Sequence, residues 1–203
     1  MIWPLALLSV LAVIYQRVGV LMLGVQAGDT ATGWFAAAAR IVEPFKFIHL
    51  AVLGALLPAL SRLTSSSEGM PSGDGPAGAA RRAFSNSFIG LLGISVLIAL
   101  SVFLVAWPLV TLLYGPGYTP AAIALQVMIW SLIPYTISAC LSLRLIVQRR
   151  ERRVLLITLI GVVVSLTLNL WLIPAYGLIG AAVAVLSSEI TQAGIFVWLG
   201  RKR

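Results

Sequence analysis

Seven ionisable side chains lie inside long apolar runs of this 203-residue chain: Arg17, Arg40, Glu43, Lys46, His49, Arg144 and Glu189. Four of them share one stretch, Gly33 to Arg62, reading GWFAAAARIVEPFKFIHLAVLGALLPALSR. Each charge near the centre of a bilayer costs about 2.5–3.5 kcal/mol on insertion scales. Such charges therefore face a bundle interior or a wet cavity, and this stretch is the first candidate for lining a polar path. At 3.6 residues per turn Arg40 and Glu43 stand about 60° apart, as do Glu43 and Lys46, so Glu43 is placed to bridge both bases. His49 falls opposite Arg40. Two readings follow for the stripe, a neutralised seam that fastens the helix to its neighbours or a basic wall facing an anionic substrate.

The other charges divide in the same way. Arg17 has no carboxylate within a turn of its own helix, so it must meet water, another helix or a ligand. Arg144 lies near a segment end and can snorkel to the headgroups. Glu189, beside Thr191 and Gln192, is either the partner of an arginine on another helix or a proton- or sodium-coupling carboxylate. Asn169 is expected to make an interhelical hydrogen bond. No HExxH, GxSxG or Walker loop occurs, and no metal-spaced acidic pair. The reading is therefore transport or structural packing, without an enzyme's constellation, a metal site or a cofactor.

The elements that must hold these residues are membrane helices. Hydrophobic residues make up 60% of the chain and charged ones only 10%, against roughly 25% charged in soluble domains. The mean hydropathy is +1.03. The fold class predicted is all-α, an integral membrane protein with six spans, at about 2–25, 32–60, 84–113, 121–147, 154–173 and 178–199. Each run exceeds or approaches the about 20 residues a helix needs, and none alternates as a barrel strand would. The first is too long, and lacks the basic flank and small-residue cleavage site, to be a signal peptide. A Gly/Ser/Pro-rich loop, 63–80, is expected to be a flexible connector. Pro44 and Pro134 are expected to kink the second and fourth spans. Gly177, Ala181, Ala184 and Ser188 form a small-residue stripe for close helix packing. Cys140 is the single cysteine, so neither a disulfide framework nor a zinc set is expected.

Charge sets the expected orientation. The connections AGDT (27–30), YGPGYTP (114–120) and PAYG (174–177) carry no Lys or Arg. Arg62, Arg81, Arg82, Arg149, Arg150, Arg152, Arg153, Arg201, Lys202 and Arg203 flank the alternate connections and the end of the chain. The positive-inside rule puts both termini and the basic loops in the cytoplasm of a bacterial inner membrane. The net charge of +8 is thereby assigned to anchoring at anionic headgroups and not to nucleic acid.

Four segments carry a resemblance. RVGVLMLGVQAGDTATGWFAAAARIVEPF (17–45) and ALLPALSRL (55–63) look like the seventh and eighth helices of Wzx-type polysaccharide flippases. LLYGPGYTPAAIALQVMIWSLIPY (112–135) is similar to their tenth-helix region, and LNLWLIPAYGLIGAAVAVLSSE (168–189) to the segment joining their eleventh and twelfth. That family belongs to the multidrug/oligosaccharidyl-lipid/polysaccharide exporter superfamily, which also holds MATE pumps and the MurJ lipid II flippase. The resemblance implies two six-helix lobes facing each other across the substrate, and this chain looks like the C-terminal lobe of such a twelve-helix exporter. It implies flipping of an undecaprenyl-pyrophosphate-linked oligosaccharide, with a missing N-terminal lobe or a second copy as partner. By the same resemblance Arg17 and Arg40 are the substrate contacts, and Glu43 and Lys46 tune the local charge. A MATE-like drug/cation antiporter half and a non-transporting membrane remnant or assembly subunit are the alternatives.

Overall fold

The computed structural model describes residues 3–65, 76–148 and 150–201. Every regular element among them is helical: α1 (Trp3–Ser65), α2 (Pro76–Tyr114), a 3-10 turn (Pro116–Tyr118), α3 (Thr119–Met128), a second 3-10 turn (Ile129–Ser131), α4 (Leu132–Val147) and α5 (Glu151–Arg201). In hydrocarbon each backbone N–H and C=O needs a partner from its own segment, and a helix supplies it. Four stretches are long and apolar enough to cross a membrane: Ala6–Gly54, Asn86–Tyr114, Pro116–Val147 and Glu151–Leu199.

Two of these, at 49 residues each, would measure about 74 Å if straight, more than twice the ~30 Å core. Both double back at a glycine. In α1, Gly28 takes φ 81° and ψ 176°; in α5, Gly177 takes φ 54° and ψ −127°. Residues with a Cβ rarely adopt such angles. The arms then lie side by side. A Cβ added at Gly19 would stand 3.1 Å from the Phe35 ring, and one at Gly161 would stand 3.0 Å from Gln192 Nε2. A straight helix would hold Gly19 and Phe35 about 24 Å apart.

Several expectations change here. The connections expected as loops at 27–30 and 174–177 are helical except for the single glycine that breaks each. Gly177 is thus the fold-back point and not a packing residue, while Ala181, Ala184 and Ser188 from the same stripe are buried as expected. Of the 63–80 connector, 66–75 lie outside the described residues, and 63–65 and 76–80 continue the helices on either side. The run 121–147 is interrupted by the 3-10 turn at Ile129–Ser131, just ahead of Pro134. A proline ring clashes with the carbonyl four residues back, here that of Trp130, and the tighter turn relieves it. Pro44 sits in continuous helix.

The core is built from small side chains. Ala37, Ala38, Ala39, Ala99, Ala106, Ala121, Ala122, Ala124, Ala181 and Ala182 pack with Leu23, Phe35, Leu125 and Ile129 in one cluster toward the Gly28, Gly115 and Gly177 turns. Lipid offers no hydrophobic drive for helices to associate, so close backbone approach and van der Waals contact must hold them. Trp34 Nε1 donates to the Gly117 carbonyl at 3.0 Å and ties the first hairpin to the turn after α2. The outer surface carries Val25, Leu97, Leu104, Leu112 and Trp171 exposed, side chains that match acyl chains and would form an aggregating patch in water.

Close approach makes one glycine unforgiving. A Cβ on Gly180 would overlap the Leu172 carbonyl across the α5 turn. Gly180→Ala is expected to lower stability by about 1–3 kcal/mol, the cost of overpacking, read as earlier unfolding in detergent. An unchanged transition would show that the α5 arms are not so close.

Candidate functional site

The second arm of α1 turns one face, mostly apolar but carrying Glu43 and Lys46, toward a cavity. Phe35, Ala39, Val42, Glu43, Lys46, Phe47 and Leu50 recur at helical spacing and line a cavity of about 80 Å³. Tyr15 and Gln16 from the first arm, Ser131 and Tyr135 before and within α4, and Ser165, Val185, Ser188 and Glu189 of α5 complete most of the wall. One water needs only ~10–15 Å³, and a drug-sized ligand fills ~300–1,000 Å³. The cavity therefore suits waters or a small ion, and this chain alone offers a saccharide a wall and not an enclosure. Phe47 and Leu50, both exposed, mark its open side.

One ion pair occurs among the described residues, Lys46 Nζ to Glu189 Oε1 at 2.7 Å. It joins the two hairpins and overturns the expectation that Glu43 bridges Arg40 and Lys46. Burial is the reason. Glu189 is enclosed and needs a cation, whereas Glu43 is only half-buried at the cavity edge and keeps access to water. The Lys46 ammonium also stands 4.9 Å from the centre of the Tyr135 ring, on which it gains a cation–π contact. Tyr15 donates to Ser188 Oγ at 3.1 Å, and Ser188 donates to the Val185 carbonyl at 2.9 Å. Glu189 Oε2 and Ser131 Oγ are buried without a hydrogen-bond partner in the protein.

The arginines stand apart from this centre. Arg40 is exposed and does not line the cavity; it lies about 100° round the helix from Ala39, one turn before Glu43. Arg17 is exposed as well, while its neighbour Gln16 reaches the cavity. At 100° per residue Arg17 shares its face with Val10, Val13, Ile14 and Leu21, all exposed. Arg144 is exposed in the last turn of α4. Asn169 bonds within its own helix, donating to the Ser165 carbonyl at 2.8 Å, and not between helices as expected. A side chain one turn on reaches that carbonyl without crossing to a neighbour.

His49, opposite Arg40 as the helical geometry requires, is buried in a second polar cluster. Its Nδ1 lies 2.7 Å from the Phe45 carbonyl, which only accepts, so Nδ1 carries the proton. Nε2 lies 2.8 Å from Ser95 Oγ, which contacts Thr136 Oγ1 at 2.8 Å. These contacts clamp α1, α2 and α4 together. Ser95→Ala strands the His49 ring nitrogen, and is expected to cost about 1–3 kcal/mol in detergent unfolding. No loss would remove the clamp from the account.

Sequence reasoning missed Tyr15, Gln16, Ser131, Tyr135, Ser165 and Ser188. A signal existed in the hydroxyls that recur inside otherwise apolar runs, but such hydroxyls commonly bond back to their own helix. Only the packing separates the two uses.

A buried ion pair between helical hairpins, beside a small cavity and within an apolar exterior, marks a multi-pass membrane protein. A family model described as "Lipid II flippase MurJ" matches residues 3–203, and the chain belongs to that family. The match supports the superfamily that the sequence resemblance implied, through its lipid II branch and not specifically through the Wzx-type one. Comparison with curated proteins finds no match.

Proposed function

We propose that this chain is one lobe of a flippase that carries a polyprenyl-pyrophosphate-linked saccharide, of the lipid II kind, across the cell membrane by alternating access. The observation that carries the reading is the α1 face on which Glu43 and Lys46 line the cavity while Arg40 stands exposed one turn away. A basic group there meets a pyrophosphate that travels between this lobe and another. The opposite wall comes from a second six-helix lobe or a second copy of this chain. The fold-backs at Gly28 and Gly177 support six crossings, and the ten basic residues on alternate connections support cytoplasmic ends and basic loops.

Two other substrates have a feature in their favour. The LNLWLIPAYGLIGAA segment resembles Wzx-type flippases, which leaves a polysaccharide repeat unit as one alternative. The cavity lining, with Glu43 and Glu189 beside Tyr15, Phe35, Phe47 and Tyr135, favours a cation antiporter. Complementation separates them. Joined behind a first lobe, the chain is expected to sustain growth when a cell's lipid II flippase is depleted, and the 203-residue chain alone is not. Rescue of polysaccharide export only, or of drug efflux only, would move the substrate to the corresponding alternative, and rescue by the chain alone would refute the half-transporter reading.

A further inference from the structure

The Lys46–Glu189 pair is asymmetric in a way that has consequences for coupling. Both line the cavity, but the lysine side chain is 15% exposed and that of Glu189 only 2%. The lysine is a flexible arm whose stem can swing the ammonium toward the open side. The carboxylate is fixed, and little around it can replace its cation. Tyr15 has spent its hydroxyl on Ser188, and Ser188 has spent its own on the Val185 carbonyl. Oε2 has no partner, and Ser131 offers one neutral hydroxyl.

The titratable and charged groups lining the cavity around Glu189 are few. The first arm of α1 contributes Tyr15 and the second arm Glu43 and Lys46. From α4 comes Tyr135, and from the first arm of α5 only the uncharged Ser165. Lys46 is therefore the one cation of the cavity wall, and Glu43, one turn before it, adds a second negative charge. An anion in the cavity competes with Glu189 for that ammonium. A carboxylate left in a dry site without a counter-ion gives up its charge by taking a proton.

We propose that Lys46 and Glu189 form an exchange pair, in which a phosphate or pyrophosphate anion draws the Lys46 ammonium away and Glu189 takes up one proton from water. No covalent bond other than the new O–H forms. The site begins as an ammonium paired with a carboxylate and ends as an ammonium paired with the anion beside a carboxylic acid. Anion entry is then coupled to proton uptake, and release of the anion returns the proton. The inference rests on the reading proposed above, that the chain carries a pyrophosphate-linked lipid.

The test uses the whole chain in detergent micelles with inorganic pyrophosphate as the probe. Proton uptake is measured with a pH indicator at equal occupancy for the native protein and Glu189→Gln, so that titration of pyrophosphate itself cancels. The native protein is expected to take up about one proton more per pyrophosphate bound, and its affinity to rise by up to about tenfold per unit fall in pH relative to the variant. Equal uptake by both proteins would overturn the exchange while leaving anion binding standing. A short-chain polyprenyl pyrophosphate in the same micelles distinguishes the source, since excess uptake with that ligand alone assigns the exchange to a lipid-borne headgroup. A second arm needs no anion. Lys46→Met is expected to show the infrared band of a protonated carboxyl at neutral pH, absent from Lys46→Met/Glu189→Gln. If that band is missing, Glu189 stays ionised without its cation and the exchange is wrong, whatever pyrophosphate does. Failure of both ligands to bind, with the band present, would refute the anion reading and leave Glu189 a proton site.

Discussion

Lys46→Met is expected to destabilise the protein by about 3–5 kcal/mol at alkaline pH, because it leaves the buried Glu189 carboxylate without a counter-ion. The loss should shrink as the pH falls. Protonation of a carboxylate that has lost its counter-ion removes the buried charge. The variant's stability is thus present at low pH and lost as pH rises, opposite in sign to the usual behaviour of a paired carboxylate. Glu189→Gln should cost less, since the freed ammonium keeps the Tyr135 ring, cavity water and Glu43 one turn back. The double variant Lys46→Met/Glu189→Leu, which replaces the pair by apolar side chains, should recover most of the loss. Unfolding followed by tryptophan fluorescence in detergent across pH reads all three variants. Equal costs for the two single variants, or a pH-independent loss in Lys46→Met, would contradict the asymmetry of the pair.

Arg40→Ala, made in the chain joined behind a first lobe, is expected to abolish rescue of a flippase-depleted cell. A charge-assisted hydrogen bond to phosphate contributes about 1.5–3 kcal/mol, so binding should weaken roughly ten- to a hundred-fold. Membrane abundance should not change, because Arg40 is exposed and holds no ion pair among the described residues. Arg17→Ala should weaken rescue less, since Arg17 shares its face with the exposed Val10, Val13, Ile14 and Leu21. Full rescue by Arg40→Ala at normal abundance would remove Arg40 from the site, and low abundance would mark it as structural.

The helical, membrane-embedded class was legible because it rests on composition and run length, and lipid leaves few alternatives to a helix. The turns were legible only in part. Gly28 and Gly177 stand where connections without Lys or Arg were expected, yet one glycine suffices where a loop of several residues was drawn. The stripe on α1 was legible from spacing, and its Arg40 and His49 do face opposite ways. The partner of Lys46 was not. Glu43 is near in sequence, whereas Glu189 is 143 residues away, and only burial makes the distant carboxylate the one that needs the cation. The hydroxyls of the cavity were invisible for a related reason, since helical spacing does not reveal which face meets another helix.

Movement of substrate along the α1 face can be read by photocrosslinking. A photoreactive residue at Phe47 or Leu50, on the cavity side, and at Leu97 or Leu104, on the exposed face of α2, is irradiated with labelled lipid II in membranes containing both lobes. Adducts at Phe47 and Leu50, displaced by unlabelled lipid II and absent from Leu97 and Leu104, are the predicted result. Labelling that is equal at all four positions, or confined to α2, would contradict the account.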